Sequence, residues 1–183
     1  MKSVIVRNGI ISGLIVAVPM QVYFQSLPAD ANLSPHMTVL TYAVMLVALS
    51  MVFVGIKHYR DKALGGVIKF GPALLVGLGI SAVAGLIYAL SWEICMAFMK
   101  FDFSAFYAKV VMAQAKAAGA DEAKAAADAA SFTQMYANPL FRFPMTFIEI
   151  FPVGLFVALI SAALLRNPRL LPANAPAGRP GSE

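Results

Sequence analysis

Hydrophobic residues gather into four long runs, with polar stretches between them. The runs cover residues 8–27, 37–56, 70–99 and 143–165. A bilayer has a hydrocarbon core of about 30 Å, which a helix of about 20 residues crosses. The third run exceeds that length, so its helix is expected to tilt or to emerge from the bilayer. The pattern predicts an all-α polytopic membrane protein with four transmembrane helices in one bundle.

The connection between the third and fourth runs is predicted to be helical as well. Residues 104–137 are rich in Ala, Lys and Gln, which are strong helix formers. Gly119 interrupts this region, and Asn138 with Pro139 ends it. We expect a helical hairpin that lies on the membrane surface or caps the bundle, the alternative being a spacer between two spans.

Residues 1–166 therefore form one four-span membrane domain. Residues 167–183 are rich in Pro, Ala and Gly and are predicted to be a disordered tail.

The basic residues predict the orientation. Nine of the fourteen Lys and Arg residues precede the first run, separate the second from the third, or follow the fourth. Short segments rich in Lys and Arg remain in the cytoplasm. Both termini are thus expected in the cytoplasm and the hairpin outside it. The first run has a rival interpretation as a secretory signal peptide, since Lys2 and Arg7 precede it and residues 29–31 offer small residues for cleavage. Its length and the Tyr23-Phe24-Gln25 segment argue against cleavage.

Composition excludes several classes of function. Hydrophobic residues make up 60% of the chain and charged residues 13%, unlike a soluble domain. The single cysteine, Cys95, allows neither an intramolecular disulfide nor a thiolate metal site. His36 and His58 fall on opposite sides of the membrane, so no metal or cofactor is expected. The net charge of +5 does not indicate nucleic acid, because the cations lie beside apolar runs.

Small residues recur at four-residue spacing in three of the runs. They are Gly77, Ser81 and Gly85 in the third run, Gly154, Ala158 and Ala162 in the fourth, and Gly9 and Gly13 in the first. Helices in lipid associate through such residues because their backbones can approach closely. We interpret them as helix-packing positions that also favour a homo-oligomer.

Two acids, Glu93 and Glu149, interrupt apolar runs. An ionisable group in hydrocarbon usually faces protein or water. Both are predicted to lie toward the outer side, in a layer that Gln21 and Gln25 are candidates to share. If the two carboxyls were close, they would form a shared-proton site. The alternative is that each accepts local hydrogen bonds near an aromatic belt of Tyr88, Trp92 and Phe98.

The loop after the second run carries the other candidate functional residues. They are Lys57, Tyr59, Arg60 and Asp61. Cations at this depth attract anionic headgroups.

The same loop carries a family resemblance. Residues 53–61 and 64–71, the segment 136–140 near the end of the hairpin, and residues 146–155 resemble, in this order, the bacterial membrane family DUF4199, a domain of unknown function. The resemblance covers residues 4–166. It implies a four-span protein of the bacterial inner membrane and carries over no activity. Lys57, Tyr59, Arg60, Asp61 and Glu149 match its pattern.

Three functions are compatible with these residues. The leading hypothesis is a non-enzymatic bundle that interacts with lipid or with a membrane or periplasmic protein partner. The alternative is a small proton- or cation-coupled transporter or channel that uses Glu93 and Glu149. The third is an enzyme acting on lipid through His58 and Asp61, although no recognisable catalytic motif is present.

Overall fold

Six α-helices make up the described part of the chain, which covers residues 1–26, 35–99 and 102–173 of a computed structural model. They are α1 (Lys2–Ser26), α2 (Pro35–Ala63), α3 (Phe70–Phe98), α4 (Phe103–Ala117), α5 (Glu122–Tyr136) and α6 (Pro139–Leu165).

Four of these helices are long and apolar enough to cross a membrane. The candidate spans are Lys2–Ser26, Tyr42–Ala63, Phe70–Phe98 and Pro139–Leu165, with mean hydropathies of 1.7, 1.6, 2.2 and 2.3. The predicted all-α membrane fold with a helical pair between the third and fourth spans is confirmed.

The four long helices surround one apolar core. Helix α3 packs against α1 and α6, and α2 packs against the same two helices from the other side. The order around the bundle is therefore α1, α2, α6, α3. The core is formed mainly by buried aliphatic residues such as Leu49, Val52, Val76, Ile80 and Ile150.

Small residues permit the close approach of α3 to its two neighbours. A Cβ added at Gly154 would lie 2.7 Å from the Ser81 side chain, and one at Gly77 would lie 2.8 Å from the Ala158 Cβ. Gly85 faces Phe147 in the same way. The ridge on α3 is thus occupied by α6 within the chain, and an oligomer would need a different surface.

Polar side chains inside the bundle find partners on neighbouring helices or on their own. The Ser12 hydroxyl donates to the Ala48 carbonyl at 2.7 Å, and Gln21 donates to the Ser91 carbonyl at 2.8 Å. Hydrocarbon offers no hydrogen bonds, so such groups must be satisfied within the protein. Gln21 is therefore engaged between α1 and α3.

The helices α4 and α5 form the predicted hairpin. Asp102 caps α4 and Asp121 caps α5, each through backbone N–H groups of the first turn, and Asn138 caps α6. Gly119 has φ of +64° between the two arms, a conformation that glycine adopts without strain. We call the end of the bundle that carries this hairpin the hairpin end, and the opposite end, with residues 64–69, the loop end.

The contact between α6 and α3 predicts the effect of a single methyl group. Gly154→Ala places a Cβ against Ser81 and is expected to destabilise the protein by about 1–3 kcal/mol through overpacking. Thermal unfolding in detergent would measure the loss. Gly71→Ala is the matched control, because nothing lies within 4 Å of a Cβ there. Equal midpoints for the two variants would contradict the packing described.

Candidate functional site

The hairpin end contains a buried ion pair between α3 and α6. Arg142 donates from Nε and from one terminal nitrogen to the two carboxylate oxygens of Glu93, at 2.8 and 2.5 Å. The Arg142 side chain is 11% exposed and that of Glu93 is 23% exposed. Planar bidentate pairing of this kind is the strongest geometry between these two groups. Both oxygens of Glu93 accept hydrogen bonds from Arg142, so Arg142 is the ion-pair partner of this carboxylate.

The same arginine holds the last residue of α5. Its remaining terminal nitrogen donates to the Tyr136 carbonyl at 3.2 Å, and its guanidinium carbon lies 5.8 Å from the centre of the Tyr136 ring. The Tyr136 hydroxyl in turn accepts a hydrogen bond of 2.7 Å from the Trp92 indole. Burial raises the pKa of the Tyr136 phenol, opposed by the hydrogen bond from Trp92. A side-chain hydrogen bond with Thr146 opposes the effect of burial as well, and the phenol stays neutral near pH 7.

Aromatic rings connect the hairpin to the bundle. Trp92 makes edge contacts with Phe24 of α1 and Phe103 of α4, each with centroids 5.1 Å apart. Phe103 also contacts Tyr136 at 5.7 Å, and Tyr136 stacks on Phe132 at 5.1 Å. We call this group the aromatic cluster; it consists of Phe24, Trp92, Phe103, Tyr107, Phe132 and Tyr136. It joins the hairpin to α1 and α3, so the hairpin caps the bundle.

A cavity of about 460 Å³ lies beneath the hairpin. The aromatic cluster lines it together with Met20, Tyr88, Met145, Thr146, Ile148 and Glu149. Met145 and Ile148 are 41% and 63% exposed, so this side of the cavity lies at the outer surface of α6. In a membrane that surface faces lipid.

Glu149 is the acidic residue of this lining. Its side chain is exposed, and within the described part of the chain it has neither an ion pair nor a hydrogen bond. It lies ten residues after Pro139, or about 15 Å along α6. The carboxyl therefore stands at membrane depth beside aromatic rings.

The loop end is organised by Arg60, whose side chain is fully buried. Its Nε donates to one oxygen of Asp61 at 2.7 Å, while Lys57 donates to the other at 2.5 Å. Tyr59 is half-buried and packs against the core. Three of the four residues predicted as candidates in this loop thus form one charge network.

Arg60 also holds the chain that follows α6. Its terminal nitrogens donate to the Leu165 carbonyl at 3.5 Å, the Leu170 carbonyl at 3.0 Å and the Leu171 carbonyl at 2.5 Å. Carbonyls at the end of a helix lack intrahelical partners, and a cation there is favourable. The predicted disordered tail begins at residue 167. Its first residues make these bonds with Arg60, and those from 174 onward lie outside the described part of the chain.

Several of these contacts were not predicted from the sequence. An aromatic belt of Tyr88, Trp92 and Phe98 was one alternative for the surroundings of Glu93. Trp92 and Tyr88 are 6% and 3% exposed and face the interior, whereas Phe98 is 70% exposed. Trp92 is covered by Phe24, Phe103 and Tyr136, whereas Tyr88 packs in the apolar core between the long helices. Arg142 was not among the candidate residues. One signal was present: an ionisable group in hydrocarbon such as Glu93 faces protein or water, and Arg142 is the cation at the start of the last span.

Comparison with known proteins places the chain among proteins of unknown function. A family model described as "Protein of unknown function (DUF4199)" matches residues 7–167. No curated protein matches the chain, and no solved structure matches it.

The ion pair at the hairpin end predicts a strong asymmetry between variants. Arg142→Gln leaves the Glu93 carboxylate buried without a counterion and is expected to cost about 3 kcal/mol of stability. The double variant Glu93→Gln with Arg142→Gln should be more stable than Arg142→Gln alone, since no uncompensated charge remains. Unfolding midpoints in detergent would test this. Lys109→Gln, an exposed cation of the hairpin, is the control. If the loss in the double variant equalled the sum of the losses in Arg142→Gln and in Glu93→Gln alone, the pairing would be contradicted.

Proposed function

Because the chain belongs to the DUF4199 family of proteins of unknown function, we propose a function from its geometry: it is a non-enzymatic membrane protein that binds an amphiphile in the cavity beneath the hairpin. The amphiphile has an apolar body and a cationic nitrogen. The observation that carries this proposal is the unpaired Glu149 carboxyl in an aromatic-lined cavity at membrane depth.

The carboxyl of Glu149 supports a cationic ligand. A charged group in hydrocarbon costs a few kcal/mol unless it is paired or wet. Glu93, the other acid of this region, is already neutralised by Arg142. A ligand nitrogen beside Glu149 would supply the counterion that the described residues do not.

The rings support the same assignment. Aromatic faces attract cations, and tryptophan and tyrosine do so most strongly. Trp92, Tyr136 and Tyr107 line the cavity with their positions fixed by mutual contacts. A rigid lining loses little freedom on binding, which favours affinity. The apolar body of the ligand would lie along Met145 and Ile148, where the cavity meets lipid.

A proton- or cation-coupled transporter is the second candidate, and Glu149 alone supports it. The other acid, Glu93, is ion-paired with Arg142. Flux of protons or alkali cations into proteoliposomes, lost in Glu149→Gln, would favour transport over binding. A partner protein or a homo-oligomer would use surfaces other than the α3 ridge.

Binding predicts quenching of the intrinsic fluorescence of the protein. The chain has one tryptophan, Trp92, and it lines the cavity. A brominated alkyl trimethylammonium should quench this fluorescence more strongly than the brominated alcohol of the same chain length. Glu149→Gln should weaken quenching by the cation at least about tenfold, because the lost attraction between carboxylate and ammonium at low dielectric exceeds about 1.4 kcal/mol.

Glu122→Gln is the matched control, since Glu122 is an exposed acid of the hairpin outside the cavity. It should leave the quenching unchanged. Equal quenching by the cation and the alcohol, in the parent protein and in Glu149→Gln alike, would sink the cationic assignment.

We also propose that the protein lies in the bacterial inner membrane with its hairpin outside the cytoplasm. The support is the excess of Lys and Arg at the loop end and the termini. In a Cys95→Ala background, Ala118→Cys should react with a membrane-impermeant maleimide in cells whose outer membrane is permeabilised. Leu64→Cys should react only after lysis. The reverse pattern would invert the orientation.

A further inference from the structure

A second cavity lies at the loop end, about 310 Å³ in volume. Its wall is one face of the last turns of α2, formed by Val54, Lys57, His58, Asp61 and Lys62, and Ala173 closes it from the segment after α6. We propose that this cavity binds the phosphate group of an anionic phospholipid. It is separate from the cavity beneath the hairpin and independent of the function proposed there.

The charges of the cavity favour an anion. Asp61 is its carboxylate, and both oxygens already accept hydrogen bonds, one from Arg60 and one from Lys57. The local cations are Lys57, Arg60 and Lys62, and the local anion is Asp61. With His58 neutral, the local formal charge is therefore +2 (three cations minus one anion). An anion therefore meets a net positive field.

Unused donors point to the ligand. Lys62 is exposed, and within the described residues neither it nor His58 makes an ion pair or a side-chain hydrogen bond. The Lys57 ammonium has three hydrogens, one of which goes to Asp61. An imidazole has an N–H donor in either protonation state. Three side chains on one helical face can thus donate to phosphate oxygens.

The position of the cavity selects a lipid over a soluble phosphate. Val54 is 48% exposed and lies one turn below Lys57 and His58, toward the middle of the span. An acyl chain would lie along it while the headgroup reaches the cations at the end of α2. A phosphate ester without an acyl chain would leave this surface unused.

The far wall is built by Arg60. Its bonds to the Leu170 and Leu171 carbonyls hold the segment that carries Ala173 beside α2. The cavity therefore differs from a group of lysines on a flat surface. One of its walls is α2, and the other is the segment with Ala173, which the buried Arg60 holds in place.

Native mass spectrometry of the full chain, equilibrated with equal amounts of phosphatidylglycerol and phosphatidylcholine of the same acyl chains, tests the proposal. We expect preferential retention of phosphatidylglycerol. Lys62→Gln should lower that preference about fivefold, since one cation near a headgroup contributes about that factor. Lys62 is exposed, so the variant keeps the fold.

Lys69→Gln is the matched control, because Lys69 is an exposed cation of the same end that does not line the cavity. An equal loss in Lys69→Gln and Lys62→Gln would overturn the proposal in favour of diffuse surface attraction. Stabilisation of the protein by inorganic phosphate, without any preference for phosphatidylglycerol, would overturn the lipid assignment and identify a soluble phosphate ester as the ligand.

Discussion

The bidentate pair of Arg142 with Glu93 joins two helices whose residues are far apart in sequence. Each charge would be costly near hydrocarbon by itself, so the two are tolerated only where α3 and α6 meet. The same guanidinium donates a third hydrogen bond to the Tyr136 carbonyl, which brings the end of the hairpin to the bundle. The Trp92–Tyr136 hydrogen bond and the aromatic cluster then follow from that placement. The roof of the cavity therefore depends on one arginine.

The opposite end repeats this arrangement with different partners. Arg60 is buried, pairs with Asp61 and bonds carbonyls after α6. Between these two ends the bundle has no charged contacts among the described residues, and α3 meets α6 through Gly77, Ser81 and Gly154. A membrane bundle has little hydrophobic drive for helix association. Its helices are therefore held together by close packing along the middle of the bundle and by paired charges at its two ends.

Glu149 departs from this scheme. Every other acid of the four candidate spans, Asp61 and Glu93, is paired with arginine. An unpaired carboxyl beside aromatic rings makes no ion pair or hydrogen bond that would stabilise the bundle among the described residues. This contrast is the physical ground for assigning it a ligand. It also separates the two cavities: one presents a free acid, and the other presents free donors around an acid already neutralised.

The spans, the hairpin and its break at Gly119 follow from the sequence, because hydrophobic run length, helix propensity and capping are local properties. The recurrence of Gly77, Ser81 and Gly85 also indicated which face of α3 packs. The partner of Glu93 lies 49 residues away in the sequence, and the carbonyls that Arg60 binds after α6 lie more than 100 residues away. Helical spacing carries no information about contacts between residues so far apart in sequence. Which neighbour each face meets is decided by the order of helices around the bundle. That order also turned Trp92 and Tyr88 inward and left Glu149 without a partner, and it follows from simultaneous packing of all four helices.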